Sequence, residues 1–219
     1  MTNTLTDPSV RSVLDRLFAA ADQDDHDQAR WPASRPFTSA PAQERSDAFS
    51  DVYMPISARC GELLYALTRS ARPQTVIEFG TSFGISTIYL AAAVADNGTG
   101  QIISTELSAH KIAAAQKNLQ EAKLAENVSI LAGDALQTLA DVPGPIDLLL
   151  LDGWKDLCLP VLQLLEARLA PGALVVADDI TMTGMSDYLR YVRTPDNGYV
   201  SIEFPVDDGM EISCRATTV

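Results

Sequence analysis

Four side chains in the second half of the chain have the types and spacing to do chemistry together: Asp152, Lys155, Asp178 and Asp179. Asp152 follows the apolar run Ile146–Leu151, and the Asp178-Asp179 pair follows the run Ala173–Ala177. If both runs are neighbouring buried strands, three carboxylates reach one sheet edge, and their repulsion is costly unless a cation neutralises it. Oxygen donors without His or Cys point to a hard cation: Mg²⁺ first, Mn²⁺ or Ca²⁺ as options, and not zinc. Such an ion can hold two adjacent oxygens of a bound molecule and stabilise a developing phenolate. Lys155 beside it is a credible general base, since nearby positive charge lowers its proton affinity. The plainer alternatives are that one or two acids cap helices and that Lys155 is an exposed helix-start lysine.

Other strand-like runs also end in acids. Glu78 closes Thr75–Phe79, Glu106 follows Gln101–Thr105, and Asp134 follows Val128–Leu131. One such acid is commonly an N-cap, but a set of five strands sharing the pattern is harder to read as capping. Ligands of an open parallel sheet bind outside these strand ends. There Glu106 can accept both hydroxyls of a ribose, and Asp134 can meet an adenine amino group. The first of these strands leads into Gly80-Thr-Ser-Phe-Gly84 and then Ile85-Ser-Thr87. This strand, glycine loop and helix offers backbone N–H groups to a nucleotide-like ligand. A dinucleotide loop needs a glycine where Ser82 stands, and no P-loop lysine follows. The remaining pattern, E-x-G-x-x-x-G-x-S, resembles motif I of class I S-adenosylmethionine (SAM) methyltransferases.

The elements that must position these residues are legible in the same run. Asp7-Pro8 opens a helix with Val10, Val13, Leu14 and Leu17 on one stripe,. Trp31 to Ser50, with three prolines, is expected to be a loop, lid or dimer arm,. Met54-Pro55 is expected to open a second helix. From there strands and helices alternate, and the tail Tyr199–Phe204 and Met210–Cys214 reads as a hairpin across Pro205 to Gly209,. The expectation is an α/β Rossmann-like fold: a mostly parallel seven-stranded sheet with helices on both faces and a C-terminal antiparallel hairpin. Residues 1–53 form its N-terminal helix and proline-rich lid or arm, and 54–219 its methyltransferase domain.

Composition narrows the function classes. The 219-residue chain carries a formal net charge of -13, which argues against nucleic acid or an anionic membrane as the main partner. Cys60, Cys158 and Cys214 form no CxxC pair, which fits a reducing compartment,. No signal-like or membrane-spanning run is seen, and the expected location is cytoplasmic. His26 and His110 read as surface residues.

Taken together, Asp152-Gly-Trp-Lys-Asp156, Leu164-Leu-Glu166 and Pro171-Gly-Ala-Leu-Val-Val-Ala-Asp-Asp179 resemble the central run of the catechol O-methyltransferase family, small metal-dependent O-methyltransferases with bacterial members. The resemblance runs from about Met54 to Asp179. It implies metal ligands at Asp152, Asp178 and Asp179, with Lys155 as the base. It implies SAM contacts at Met54, Ile56, Gly80, Ser82, Ser86, Glu106, Leu107, Ala135 and Trp154. Glu203 matches a tail acid that touches substrate. A homodimer through the N-terminal segment is also implied. Two positions depart from the family: Asp179 stands for Asn, and Gly153 for a histidine. The expected activity is methyl transfer to a hydroxyl of a small, catechol-like acceptor. The alternatives are a metal-independent methyltransferase of a carboxylate, amine or natural-product hydroxyl, and a SAM-binding protein without catalysis.

Overall fold

The computed structural model describes residues 3–26 and 40–216, so much of the expected proline-rich lid lies outside the described residues. Helix α1 (Pro8–His26) begins where expected, with the Asp7 carboxylate accepting the N–H of Ser9 at 2.8 Å. Its stripe of Val10, Val13, Leu14 and Leu17 is buried against residues of three further helices: α3 (Ala58–Ala71), α4 (Ile85–Asn97) and α5 (Ala109–Glu121). The first helix therefore shares the domain's core.

Seven strands form one sheet: β1 (Thr75–Phe79), β2 (Gln101–Glu106), β3 (Val128–Ala132), β4 (Ile146–Leu151), β5 (Leu169–Asp178), β6 (Tyr199–Phe204) and β7 (Met210–Arg215). Their order is β3-β2-β1-β4-β5-β7-β6. The first five run parallel, and β7 enters antiparallel between β5 and β6. Two apolar clusters cover the faces. One gathers α1, α3, α4 and α5. The other gathers α6 (Ala135–Thr138), α7 (Cys158–Leu165) and α8 (Ser186–Val192). Ile146, Leu148, Leu149, Leu150 and Leu151 are all fully buried. A central strand covered on both sides needs such a continuous apolar run. The expected α/β class and the hairpin are both present.

Three local expectations are corrected. The helix expected from Met54 begins at Ala58, where the Ser57 hydroxyl accepts the N–H of Cys60 at 3.1 Å. Pro55 disfavours helical backbone at Met54, which leaves that segment extended. A short helix, α2 (Ala42–Ala48), occupies part of the stretch expected to be loop. Its sequence AQERSDA has no apolar period to announce it,. Finally, β5 starts at Leu169, pairs there with Ile146, and shifts register before Leu174. The preceding helix, α7, ends at Leu165, and a single 3-10 turn leads into the strand.

The packing of α1 can be tested with Leu17, which is 1% exposed. Leu17→Ala is expected to cost about 2–5 kcal/mol in urea unfolding. A loss below about 1 kcal/mol would show that α1 does not belong to the cooperative core.

Candidate active site

Strand order reverses between β1 and β4, and in such sheets the crevice beyond the strand ends binds ligands,. A cavity of about 1060 Å³ opens there. Its wall includes fourteen of the expected site residues: Met54, Ile56, Gly80, Ser82, Ser86, Glu106, Leu107, Asp134, Ala135, Asp152, Trp154, Lys155, Asp178 and Asp179.

The glycine loop is fixed from below by a buried acid. Glu78 is 0% exposed. Its carboxylate accepts hydroxyls from Ser86 and Thr87 at 2.6 Å each, and from Ser104 at 2.5 Å. These bonds tie β1, the start of α4 and β2 to one point. Glu78 has no surface on the cavity, so the expectation of cofactor contact is corrected to one of support. Burial pushes its pKa up to about 7, opposed by the three hydroxyls and reinforced by Asp152,. Above this clamp, Gly80 has φ +104°. A Cβ on Gly80 would stand 2.7 Å from the backbone oxygen of Asp152, so the loop and the end of β4 approach more closely than any side chain allows,.

Glu106 faces the loop from the end of β2. One carboxylate oxygen accepts the N–H of Ser82 at 2.9 Å, and the other those of Leu107 and Ser108 at 2.8 and 2.9 Å. Asp134 caps α6, accepting the N–H of Leu136 at 2.9 Å, and still lines the cavity.

At the ends of β4 and β5, oxygen atoms of Asp152, Asp178 and Asp179 lie within 4.8 Å of one another. Lys155 Nζ stands 3.0 Å from Asp152 Oδ1 and 3.0 Å from Asp179 Oδ2. Burial, outweighing Lys155, pushes Asp152 up to about 6. Burial and then its two acidic neighbours push Asp178 up to about 8. Burial alone would lower the pKa of Lys155, but Asp152 and Asp179 reverse this and raise it. Asp179 has φ +54°, a conformation that Asn and Asp tolerate better than most residues. Asp in place of the family's Asn thus suits the backbone while adding charge. The other departure is steric: a Cβ on Gly153 would meet the Phe79 ring at 2.5 Å.

Trp154 forms part of the wall, with the Arg45 guanidinium 4.7 Å from its ring centroid and Phe49 edge-on at 6.0 Å. Arg45, on α2, also makes a two-pronged ion pair with Asp156, at 2.7 and 3.1 Å. The N-terminal segment therefore covers this end of the cavity. Arg45, Ser46 and Phe49 were not expected there, because α2 carries no periodic signal.

Glu203 is not brought to the site. It sits exposed on edge strand β6, 3.0 Å from Arg193, which also binds buried Glu211 at 2.6 Å. The acids that the tail does bring to the cavity are Asp207 and Asp208 in the hairpin loop. Asp207 accepts a short hydrogen bond from the Ser57 hydroxyl. Nothing in the sequence separates these two acids from ordinary turn residues.

A glycine loop over a buried acid, a second acid aimed at that loop, and a seven-stranded sheet ending in an antiparallel hairpin are features of the fold of class I SAM-dependent methyltransferases,. Residues 77–180 match a methyltransferase domain family. The chain is 32% identical over 146 residues to catechol O-methyltransferase of Mycobacterium tuberculosis, covering 66% of this chain and 66% of that protein. It is 31% identical over 140 residues to catechol O-methyltransferase of Mus musculus, covering 61% and 52%. The chain thus spans no more than two thirds of either relative. Among solved structures, the O-methyltransferase TomG from Streptomyces achromogenes, involved in tomaymycin synthesis and in complex with SAM, shares the fold. Its TM-score is 0.66 at 23% identity, over 92% of this chain and 99% of that one. The chain thus carries a methyltransferase domain and is similar to catechol O-methyltransferases.

The Glu78 clamp has a pH signature. The native carboxyl holds its proton more tightly than the unfolded chain does, so its contribution is present at low pH. It is lost as pH rises from 4.5 through about 7,. Denaturant unfolding of Glu78→Gln between pH 5 and pH 8 is expected to fall less steeply than that of the native protein, by on the order of 2–3 kcal/mol. Parallel slopes would contradict the burial of a carboxylate there.

Proposed function

We propose that this protein moves the methyl group of SAM to one hydroxyl of a small acceptor with two adjacent oxygens, such as a catechol, with the help of a divalent cation. The observation that carries this reading is the group of three carboxylates within 4.8 Å, two of them on Lys155 at 3.0 Å. The names of the relatives at 31–32% identity point the same way.

The donor set fits a hard cation. All its donors are carboxylate oxygens, and Asp178, only 5% exposed, carries an ionisation cost that neighbouring positive charge would remove,. Asp152, Asp178 and Asp179 would hold the ion, whose chemistry is to bind both acceptor oxygens and lower the proton affinity of a hydroxyl. SAM supplies an electrophilic methyl carbon on its sulfonium.

The remaining work falls to the chain. Lys155 takes the hydroxyl proton at Nζ. Its two carboxylate partners raise its pKa in the arrangement seen, so its use as a base requires that their charge be compensated,. Glu106 orients the cofactor's ribose, and the glycine loop accommodates its close approach. Trp154, held between Arg45 and Phe49, forms a wall that excludes water, and holding the two reactants in line supplies much of the acceleration,. A metal-independent reaction is the competing reading, since Lys155 already pairs with two of the acids.

Methylation of catechol is expected with Mg²⁺ and SAM, and its loss in EDTA. Lys155→Met is expected to lower kcat by about 10²–10⁴ while leaving S-adenosylhomocysteine affinity within about threefold of native. Turnover indifferent to EDTA would favour the metal-independent reading, and a Lys155→Met variant with native kcat would remove the proposed base.

A further inference from the structure

Lys111 lies five residues beyond Glu106, in the first turn of α5, and lines the same cavity. It is only 4% exposed. Its ammonium has three donors, yet among the described residues no hydrogen bond or ion pair reaches it. Its nearest recorded partner is the face of Phe83, with Nζ 5.4 Å from the ring centroid. Phe83 belongs to the glycine loop and is stacked on Tyr53 at 3.9 Å. The acids whose fields reach Lys111 are Glu106 of β2, Asp24 of α1 and Asp51 of the segment before α3. An ammonium on the cavity wall with no protein acceptor takes its acceptors from whatever fills the cavity, water or a ligand,.

Glu106 is its complement. Ionised, that carboxylate can only accept; it already takes three backbone N–H groups, has capacity for a fourth and lines the cavity,. Lys111 can only donate. A ribose hydroxyl both donates and accepts, so the two residues together satisfy it and neither does so alone. We propose that Lys111 is a further cofactor-positioning residue, donating from Nζ to a ribose hydroxyl of the bound adenosine that itself donates to Glu106. The proposal rests on the reading of this cavity as the SAM site.

Calorimetric titration of the native protein and of Lys111→Met with S-adenosylhomocysteine and its 2′-deoxy and 3′-deoxy analogues tests it. The variant is expected to bind S-adenosylhomocysteine about tenfold more weakly. The penalty that the native protein shows for losing one of the two hydroxyls should shrink to within about twofold, and Lys111→Arg should restore part of it. If the variant weakens all three ligands by one common factor, or none of them, Lys111 merely props the N-terminal segment against Asp24 and Asp51, and the proposal fails. If Lys111→Met does not fold, Lys111→Leu, which also lacks a donor, is read by the same criterion. Failure of the native protein to bind S-adenosylhomocysteine at all would instead overturn the SAM reading on which the proposal rests.

Discussion

Three carboxylates and one ammonium share the ends of β4 and β5, and the rest of the site is arranged around that charge imbalance. Lys155 neutralises one charge of Asp152, Asp178 and Asp179, which leaves two where burial already penalises ionisation,. Burial and the neighbouring acids raise the pKa of Asp178, so the cluster favours taking up positive charge,. A hard cation would supply that charge and free Lys155 to act as a base,. The constraint reaches beyond the four residues. Gly80 and Gly153 let the glycine loop and the Phe79 ring press directly on the end of β4, so Asp152 has little freedom to move away. The repulsion is held by packing.

A second organising contact lies on the cofactor side. Glu78 gathers hydroxyls from α4 and β2 beneath the glycine loop, while Glu106 gathers N–H groups from the loop and from the start of α5. One acid fixes the loop from beneath, and the other binds it from the end of β2. Over the far end, Arg45 binds Asp156 and covers Trp154, so one side chain joins α2 to the cavity wall.

Much of this was legible in the sequence, for identifiable reasons. Strands buried on both faces need unbroken apolar runs, and Ile146–Leu151 is one; ligand-facing acids must sit at the strand ends, and Asp152, Asp178 and Glu106 do. What the sequence could not separate was the direction of each acid. Glu78 and Glu106 end adjacent strands and look alike, yet one points beneath the loop and the other toward it. Glu203 and Asp207 lie four residues apart, but only the hairpin turn reaches the cavity. Helix α2 was hidden because its stability comes from Arg45 and Phe49 docking on distant Trp154, not from a periodic apolar face. Lys111 was hidden as well, as a lysine on a helix whose burial beside the Phe83 ring no local pattern announces.

Whether the three-acid cluster holds a cation decides between the two proposed reactions. The most direct measurement is Mn²⁺ binding followed by electron paramagnetic resonance, for the native protein and for Asp178→Asn, in the presence of SAM and catechol. The expected result is one bound Mn²⁺ per native chain and a loss of affinity of at least about tenfold in the variant. A native protein that leaves Mn²⁺ free in solution, or an Asp178→Asn variant that binds it as tightly as the native chain, would contradict the central claim.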